Sequence, residues 1–243
     1  MTLPRAVVLF SGGLDSTTCV AIAAARGFEP VLLSIRYGQQ HDSALQANAE
    51  MRRKYGVRET RLLVLPDIGN QTSSLVSLSH AVPKGGDPRA PGIPNTYVPA
   101  RNLIFLSYAA SLVEELGAKD IYIGVNQLDS SGYPDCRDRF ITVFETAINL
   151  GTKAGMEGHF IRIHRPLVEM TKAEIITTGM ELGVDYAWTS SCYDPKEVHE
   201  EFDDGKGCTI DVACGTCDSC QLRLEGFASV GIKDPLSYPL LNN

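Results

Sequence analysis

Short apolar, β-branched runs alternate with longer stretches of helical periodicity over most of the chain. The strand candidates are RAVVLF (5–10), PVLLSIR (30–36), RLLVLP (61–66), DIYIGV (120–125) and HFIRIH (159–164). Between and after them the pattern predicts helices over Asp15–Gly27, Ser43–Tyr55, Asn102–Gly117, Phe140–Leu150 and Lys172–Gly183. This alternation predicts an α/β fold, a doubly wound parallel five-stranded sheet of Rossmann-like type covered on both faces. After Trp188 the rhythm stops and the chain becomes Cys-rich and acidic. The expected organisation is a sheet domain over 1–187 and a small metal-organised module over 188–243.

Two connections break the rhythm. The first, from about Pro66 to Ala100, carries PKGGDPRAPGIPN and is far longer than the roughly 4–6 residues usual between elements, which marks it as functional or mobile. The second, NQLDSSGYPDCRDR, follows the fourth strand at its carboxyl end, where open α/β sheets bind ligands. Both read as loops that wall an active site.

Composition narrows the class. The chain has 243 residues, 44% hydrophobic and 21% charged, as an ordinary globular protein does. No stretch approaches the apolar length of a membrane span or a secretory signal, so a soluble cytoplasmic protein without a membrane partner is expected. A formal net charge of −7 argues against a stable nucleic-acid partner, because such binding rests on Lys and Arg neutralising phosphates. An odd total of seven cysteines, three of them in CGTCDSC, indicates reduced thiols and a metal site instead of disulfides.

The segment from Phe10 through Ser11, Gly12, Gly13, Leu14, Asp15 and Ser16 to Thr17 lies between a buried strand and a helix, where backbone N–H groups and the helix dipole hold anions. Gly12 and Gly13 permit positive φ and close backbone approach, and the hydroxyls add donors. The Lys of a Walker A loop is missing, so this is a different phosphate grip. Cys19, one turn further on, reads as a small buried hydrophobe.

SGGLDST resembles the SGGxDS signature of the PP-loop ATP pyrophosphatases, with their adenine-nucleotide α-hydrolase-like fold. The resemblance implies that ATP is split between its α- and β-phosphates to adenylate a substrate, with Asp15 helping to position the nucleotide and Mg²⁺. YGQQH at Tyr37–His41, GIPNTYVPARN at Gly92–Asn102, DSSGYPDCR at Asp129–Arg137 and the terminal CGTCDSCQLR extend the likeness over nearly the whole chain. Together they resemble the QueC family of 7-cyano-7-deazaguanine synthases. That implies a ligase acting on 7-carboxy-7-deazaguanine and ammonia with ATP, commonly as a homodimer.

Local chemistry fits those expectations. Arg101 opens a helix and is suited to a carboxylate or phosphate. Lys172, in MTKAEI, matches a family position and can neutralise a transferring phosphate, although Thr171 and Glu174 also spell a capping box around it. Asp15, Arg101 and Lys172 are therefore the catalytic candidates. Asp129, Tyr133, Asp135 and Arg137 offer acceptors, an aromatic face and a guanidinium suited to a flat polar heterocycle. Asn102, Tyr37, Gln39 and His41 join them as substrate-binding candidates, the last three expected after the second strand on the nucleotide side of the cleft.

Cys214, Cys217 and Cys220 form CxxCxxC and need a fourth ligand for a closed tetrahedral site. The sequence offers Cys192, Cys208 and His199; the resemblance favours Cys192. Four thiolates suit structural Zn²⁺, with an iron–sulfur cluster as the rival. Two departures from the family pattern stand out. PARN replaces PGRN, so Ala100 is expected to avoid a positive φ, and the acidic stretch between Cys192 and Cys214 is longer. Competing readings are a PP-loop enzyme adenylating a base in RNA, a relative attaching a deazapurine to another molecule, and a zinc-ribbon adaptor, which leaves the phosphate loop unexplained.

Overall fold

The five apolar runs become strands β1 (Arg5–Leu9), β2 (Glu29–Arg36), β3 (Glu59–Val64), β4 (Asp120–Tyr122) and β5 (Arg162–His164). The structure, a computed structural model, describes residues 2–39, 44–66, 68, 72–77, 79–201 and 207–238. The strands form one sheet in the order β3-β2-β1-β4-β5, and every pairing is parallel, with Val7 opposite Val31 on one side and Ile121 on the other. This is the expected architecture.

The helices are α1 (Leu14–Ala25), α2 (Ala44–Tyr55), α3 (Arg101–Glu115), α4 (Gln127–Gly132), α5 (Asp138–Gly151), α6 (Lys153–Met156), α7 (Lys172–Glu181) and α8 (Asp218–Ser229). Strand alternation divides them between the two faces. Ala6, Val8 and Leu32 pack against α1, α7 and Phe227 of α8, while Val7, Leu9, Val31 and Leu33 pack against α3 and α5. No helix among the described residues is long and apolar enough to cross a membrane.

Three features differ from the sequence reading. The second connection is not an irregular loop but α4 followed by a single 3-10 turn at Pro134–Cys136. Asn126 starts α4, accepting from Leu128 and Asp129 N–H at 2.9 and 3.1 Å, and the Asp129 carboxylate closes the capping box on Asn126 N–H. The acidic stretch before the cysteines holds an antiparallel pair, β6 (Lys196–Glu201) and β7 (Gly207–Val212), with His199 opposite Thr209 and Cys208 opposite Glu200.

The third difference is a correction at Ala100. It takes φ 56° and ψ 22°, the left-handed conformation it was expected to avoid, and it alone among the described non-glycine residues has a positive φ. The reason is local: the chain must turn sharply into α3, and Ala100 N–H donates to Tyr97 Oη at 3.2 Å while its carbonyl already accepts from Ile104 N at 3.2 Å. Those bonds fix a conformation that Cβ disfavours.

Candidate active site

The sheet order reverses between β1 and β4, and the crevice at their carboxyl ends is the site such sheets reserve for ligands. A cavity of about 310 Å³ opens there. On one wall lies the phosphate loop. Gly12 sits at φ 77°, whereas Gly13 is extended at φ −81° and is needed for space: a Cβ there would lie 3.3 Å from Ser191 Oγ. The expectation that both glycines use positive φ thus holds for Gly12 alone. Ser16 Oγ donates to Gly13 O at 3.1 Å and accepts from Ser11 N, which ties the loop to the first turn of α1.

Phe10, Ser11, Gly13, Asp15 and Ser16 line the cavity. Gly12 shapes the loop, Leu14 packs in the core and Thr17 is fully buried behind. Cys19 is also fully buried, and burial pushes its thiol up, as it does for Cys136 at the cavity wall; neither is available as a thiolate.

Asp15 is the charged centre of this wall. Lys172 Nζ donates to Asp15 Oδ2 at 2.5 Å, and Asn126 Nδ2 donates to the same oxygen at 3.5 Å. The Thr171–Glu174 capping box is also present, so the helix start and the ion pair coexist at Lys172. Asp15 Oδ1 is buried with no hydrogen-bond partner, as is Thr17 Oγ1. A buried carboxylate oxygen beside an anion-binding loop fits a divalent cation.

Tyr37, Gln39, Arg101, Asn102, Asp129 and Tyr133 also line the cavity. Arg101 Nη1 donates to Tyr37 Oη at 3.1 Å, and Tyr37 packs against Phe105 with the rings tilted and their centroids 5.4 Å apart. Gln39 folds back on its own strand, accepting from Tyr37 N at 2.8 Å and donating to Ile35 O. Tyr133 Oη shares a 2.7 Å hydrogen bond with Thr96 Oγ1, from the long first connection. Asp135 is buried and accepts from Asn102 N at 2.9 Å, so it braces the start of α3 from behind. Arg137 is exposed before α5 and is not among the residues lining the cavity. His41 lies outside the described residues.

Asp129 has the most perturbed carboxyl in the cavity. Burial leads, pushing its pKa from 3.8 up to about 6; Lys172 and Arg101 pull it down, and the Asp15 charge pushes it up.

The sequence reading missed several residues here. Gly124 at the end of β4 approaches α1 so closely that a Cβ would lie 3.2 Å from Asp15 C and Ser16 N. Ser190, Ser191 and Tyr193 flank Cys192 and also line the cavity. Only tertiary contact reveals them, since nothing local distinguishes the two serines from a solvated turn. Asn126 was missed as well, although it carries a local signal, an N-cap residue type three positions before an acidic residue.

Beside the crevice, Cys192, Cys214, Cys217 and Cys220 bring their sulfurs within 4.8 Å of one another, a set able to hold a metal ion. Backbone N–H groups of Cys214 and Asp194 donate to Cys192 Sγ at 3.2 and 3.4 Å, and Tyr193 N donates to Cys217 Sγ. Hydrogen bonds from Cys192 and Cys220 hold the Cys217 thiol well below the ordinary value, while the thiols of those two donors are pushed up. The long first connection reaches this cluster through a bridge between Lys84 and Cys217.

The family model described as "Queuosine biosynthesis protein QueC" matches residues 5–231. A 7-cyano-7-deazaguanine synthase of Citrifermentans bemidjiense is 52% identical over 98% of this chain and 99% of its own. One from Pelobacter propionicus is 53% identical over 96% and 97%. Among solved structures, one titled as a predicted subunit of a tRNA methyltransferase from Methanocaldococcus jannaschii aligns over 99% of this chain and 94% of its own, at 16% identity and TM-score 0.46. The match across nearly the full length of both sequence relatives places this chain in the QueC family.

Proposed function

We propose that the cavity converts 7-carboxy-7-deazaguanine and ammonia to 7-cyano-7-deazaguanine by activating oxygen with ATP. One observation carries the reading. The phosphate loop and a set of aromatic, guanidinium and carboxylate groups line one cavity, which would bring the phosphates of a nucleotide and a flat carboxylate together.

A carboxylate oxygen attacks the α-phosphorus of ATP, the bond to the β-phosphate breaks, and pyrophosphate leaves. Ammonia attacks the acyl carbon and AMP departs, giving the primary amide and releasing a proton. A second ATP activates the amide oxygen in the same way; loss of the remaining N–H protons with cleavage of the C–O bond leaves the nitrile. Proximity and charge neutralisation suffice for each step, so no nucleophilic side chain is needed.

Lys172, already aimed at Asp15, neutralises charge on the phosphates, and Arg101 receives the substrate carboxylate. Tyr37, Tyr133 and Asp129 hold the heterocycle between an aromatic surface and an acceptor. Asn102 and Asp135 fix the start of α3 and hence Arg101. Asp15 Oδ1 is the atom suited to Mg²⁺, which when bound supplies positive charge beside the phosphates. The four thiolates suit Zn²⁺, which supplies folding energy to the C-terminal segment. A cytoplasmic homodimer with no stable nucleic-acid partner completes the reading.

Mass spectrometry of products from the carboxylate, ATP and isotopically labelled ammonium tests it. The nitrile carrying the label is expected; an amide as the final product, or no ATP-dependent product from metal-replete protein, contradicts it.

A further inference from the structure

The segment Tyr186–Cys192 runs across the back of the phosphate loop and is anchored at both ends. Tyr186 Oη meets Thr18 Oγ1 of α1 at 2.8 Å, and Cys192 joins the thiolate cluster. Between these anchors, Ser190 N donates to Gly12 O at 3.1 Å and Ser191 Oγ accepts from Leu14 N at 3.2 Å. Leu14 N is one of the N–H groups at the start of α1 that have no partner within the helix, the kind that binds phosphate, and here Ser191 Oγ accepts from it. Ser191 lines the cavity and is the nearest atom to the space beside Gly13.

Arg223 of α8 holds this segment from outside the cavity. It is fully buried, as is its partner Asp234, with Nε and Nη2 donating to the two carboxylate oxygens at 2.7 and 3.0 Å. Tyr238 Oη donates to the same carboxylate at 2.6 Å. The remaining guanidinium donors go to the segment itself: Nη1 to Thr189 Oγ1 at 2.7 Å and Nη2 to Tyr186 O at 3.0 Å. A buried ion pair adds little net stability over apolar packing, so what distinguishes this one is that its remaining donors hold Thr189 and Tyr186. Here the geometry fixed is that of the residues immediately before Ser190 and Ser191.

We infer that Ser191 is a ligand of the nucleotide phosphates and that Arg223 is the positioning residue that presents it. A hydroxyl both accepts and donates. Ser191 therefore accepts from the loop N–H and donates its own proton to a phosphate oxygen in the cavity that it lines. The C-terminal segment thus completes the nucleotide site, which rests on the reading that the cavity takes ATP.

Calorimetric titration with a non-hydrolysable ATP analogue, and separately with the carboxylate substrate, tests this on wild type, S191A, R223K and the double variant. S191A is expected to weaken the analogue about tenfold, the value of one hydrogen bond to a charged group, and to leave substrate affinity within about twofold. R223K, which keeps the charge but loses the fork, is expected to shift the analogue in the same direction. The double variant is expected to be no weaker than S191A by more than about twofold, because both act through one contact. T189V, which removes the 2.7 Å acceptor of Arg223, replaces R223K if that variant does not fold. Unchanged analogue binding in S191A, or equal loss of both ligands, overturns the Ser191 assignment. Additive effects in the double variant overturn the role of Arg223. Wild-type protein that binds no analogue overturns the ATP reading and the Ser191 assignment with it.

Discussion

Ala100→Gly is expected to stabilise the protein. Ala100 stands at φ 56°, ψ 22°, where Cβ crowds the following carbonyl. That conformation costs roughly 1–2 kcal/mol for an L-residue with a side chain and nothing for glycine. Against the gain, glycine enlarges the unfolded ensemble by roughly 0.4–1 kcal/mol. The two backbone hydrogen bonds that fix the turn, from Ala100 N to Tyr97 Oη and from Ile104 N to Ala100 O, survive the change. The net gain is about 0.5–1 kcal/mol, which for a chain of this size raises Tm by about 1–4 °C. Urea denaturation followed by circular dichroism, with m compared between variants, reads it directly. Ala100→Val places a branched Cβ in the same conformation and is expected to destabilise by more than about 2 kcal/mol. A glycine variant that is less stable than wild type at unchanged m, or a valine variant that matches it, would refute the strain argument.

Lys172→Met leaves Asp15 without its 2.5 Å cation and is expected to lower kcat by at least about a hundredfold, with a much smaller change in substrate KM, in steady-state assays. Asp129 binds a proton more readily in the folded than in the unfolded state, its pKa standing at about 6 against 3.8, so it favours folding below the lower value and loses that relative advantage as pH rises through the upper one. Asp129→Asn keeps an acceptor for the helix cap. Thermal melts should therefore show it stabilised relative to wild type at pH 7.5 and not at pH 3.5, while activity falls. Cys217→Ser removes one of the four convergent sulfurs and is expected to lower metal content, read by elemental analysis, and to depress Tm as chelation of wild type does.

The centre of the sheet was legible because β1 and β2 are buried on both faces and their runs, RAVVLF and PVLLSIR, need no partner to be recognised. The phosphate loop and the CxxCxxC triplet were legible because each is a local arrangement whose spacing is its chemistry. Asp129 and Tyr133 could be assigned to the cavity from their place after the fourth strand, but the same logic drew in Arg137, which the first turn of α5 turns outward. Asp135 was read as facing substrate, while the structure uses it to cap Asn102 N–H, a contact 33 residues apart in the chain. Ser190, Ser191 and Arg223 were invisible for the same reason. Ser191 meets Leu14 across 177 residues, and no periodicity or local motif encodes a pairing that only the packing of α8 creates. Ala100 shows the converse limit: the residue type argued against a positive φ, and two hydrogen bonds from the surrounding turn overruled it.

The central claim is that carboxylate oxygen becomes a phosphate-linked leaving group at the α-phosphorus. Substrate labelled with heavy oxygen in its carboxylate tests it, with the released nucleotide and phosphate products separated by mass. AMP carrying one heavy oxygen per molecule, with unlabelled pyrophosphate, is the expected result. Label found instead in orthophosphate or in water, with unlabelled AMP, would contradict it.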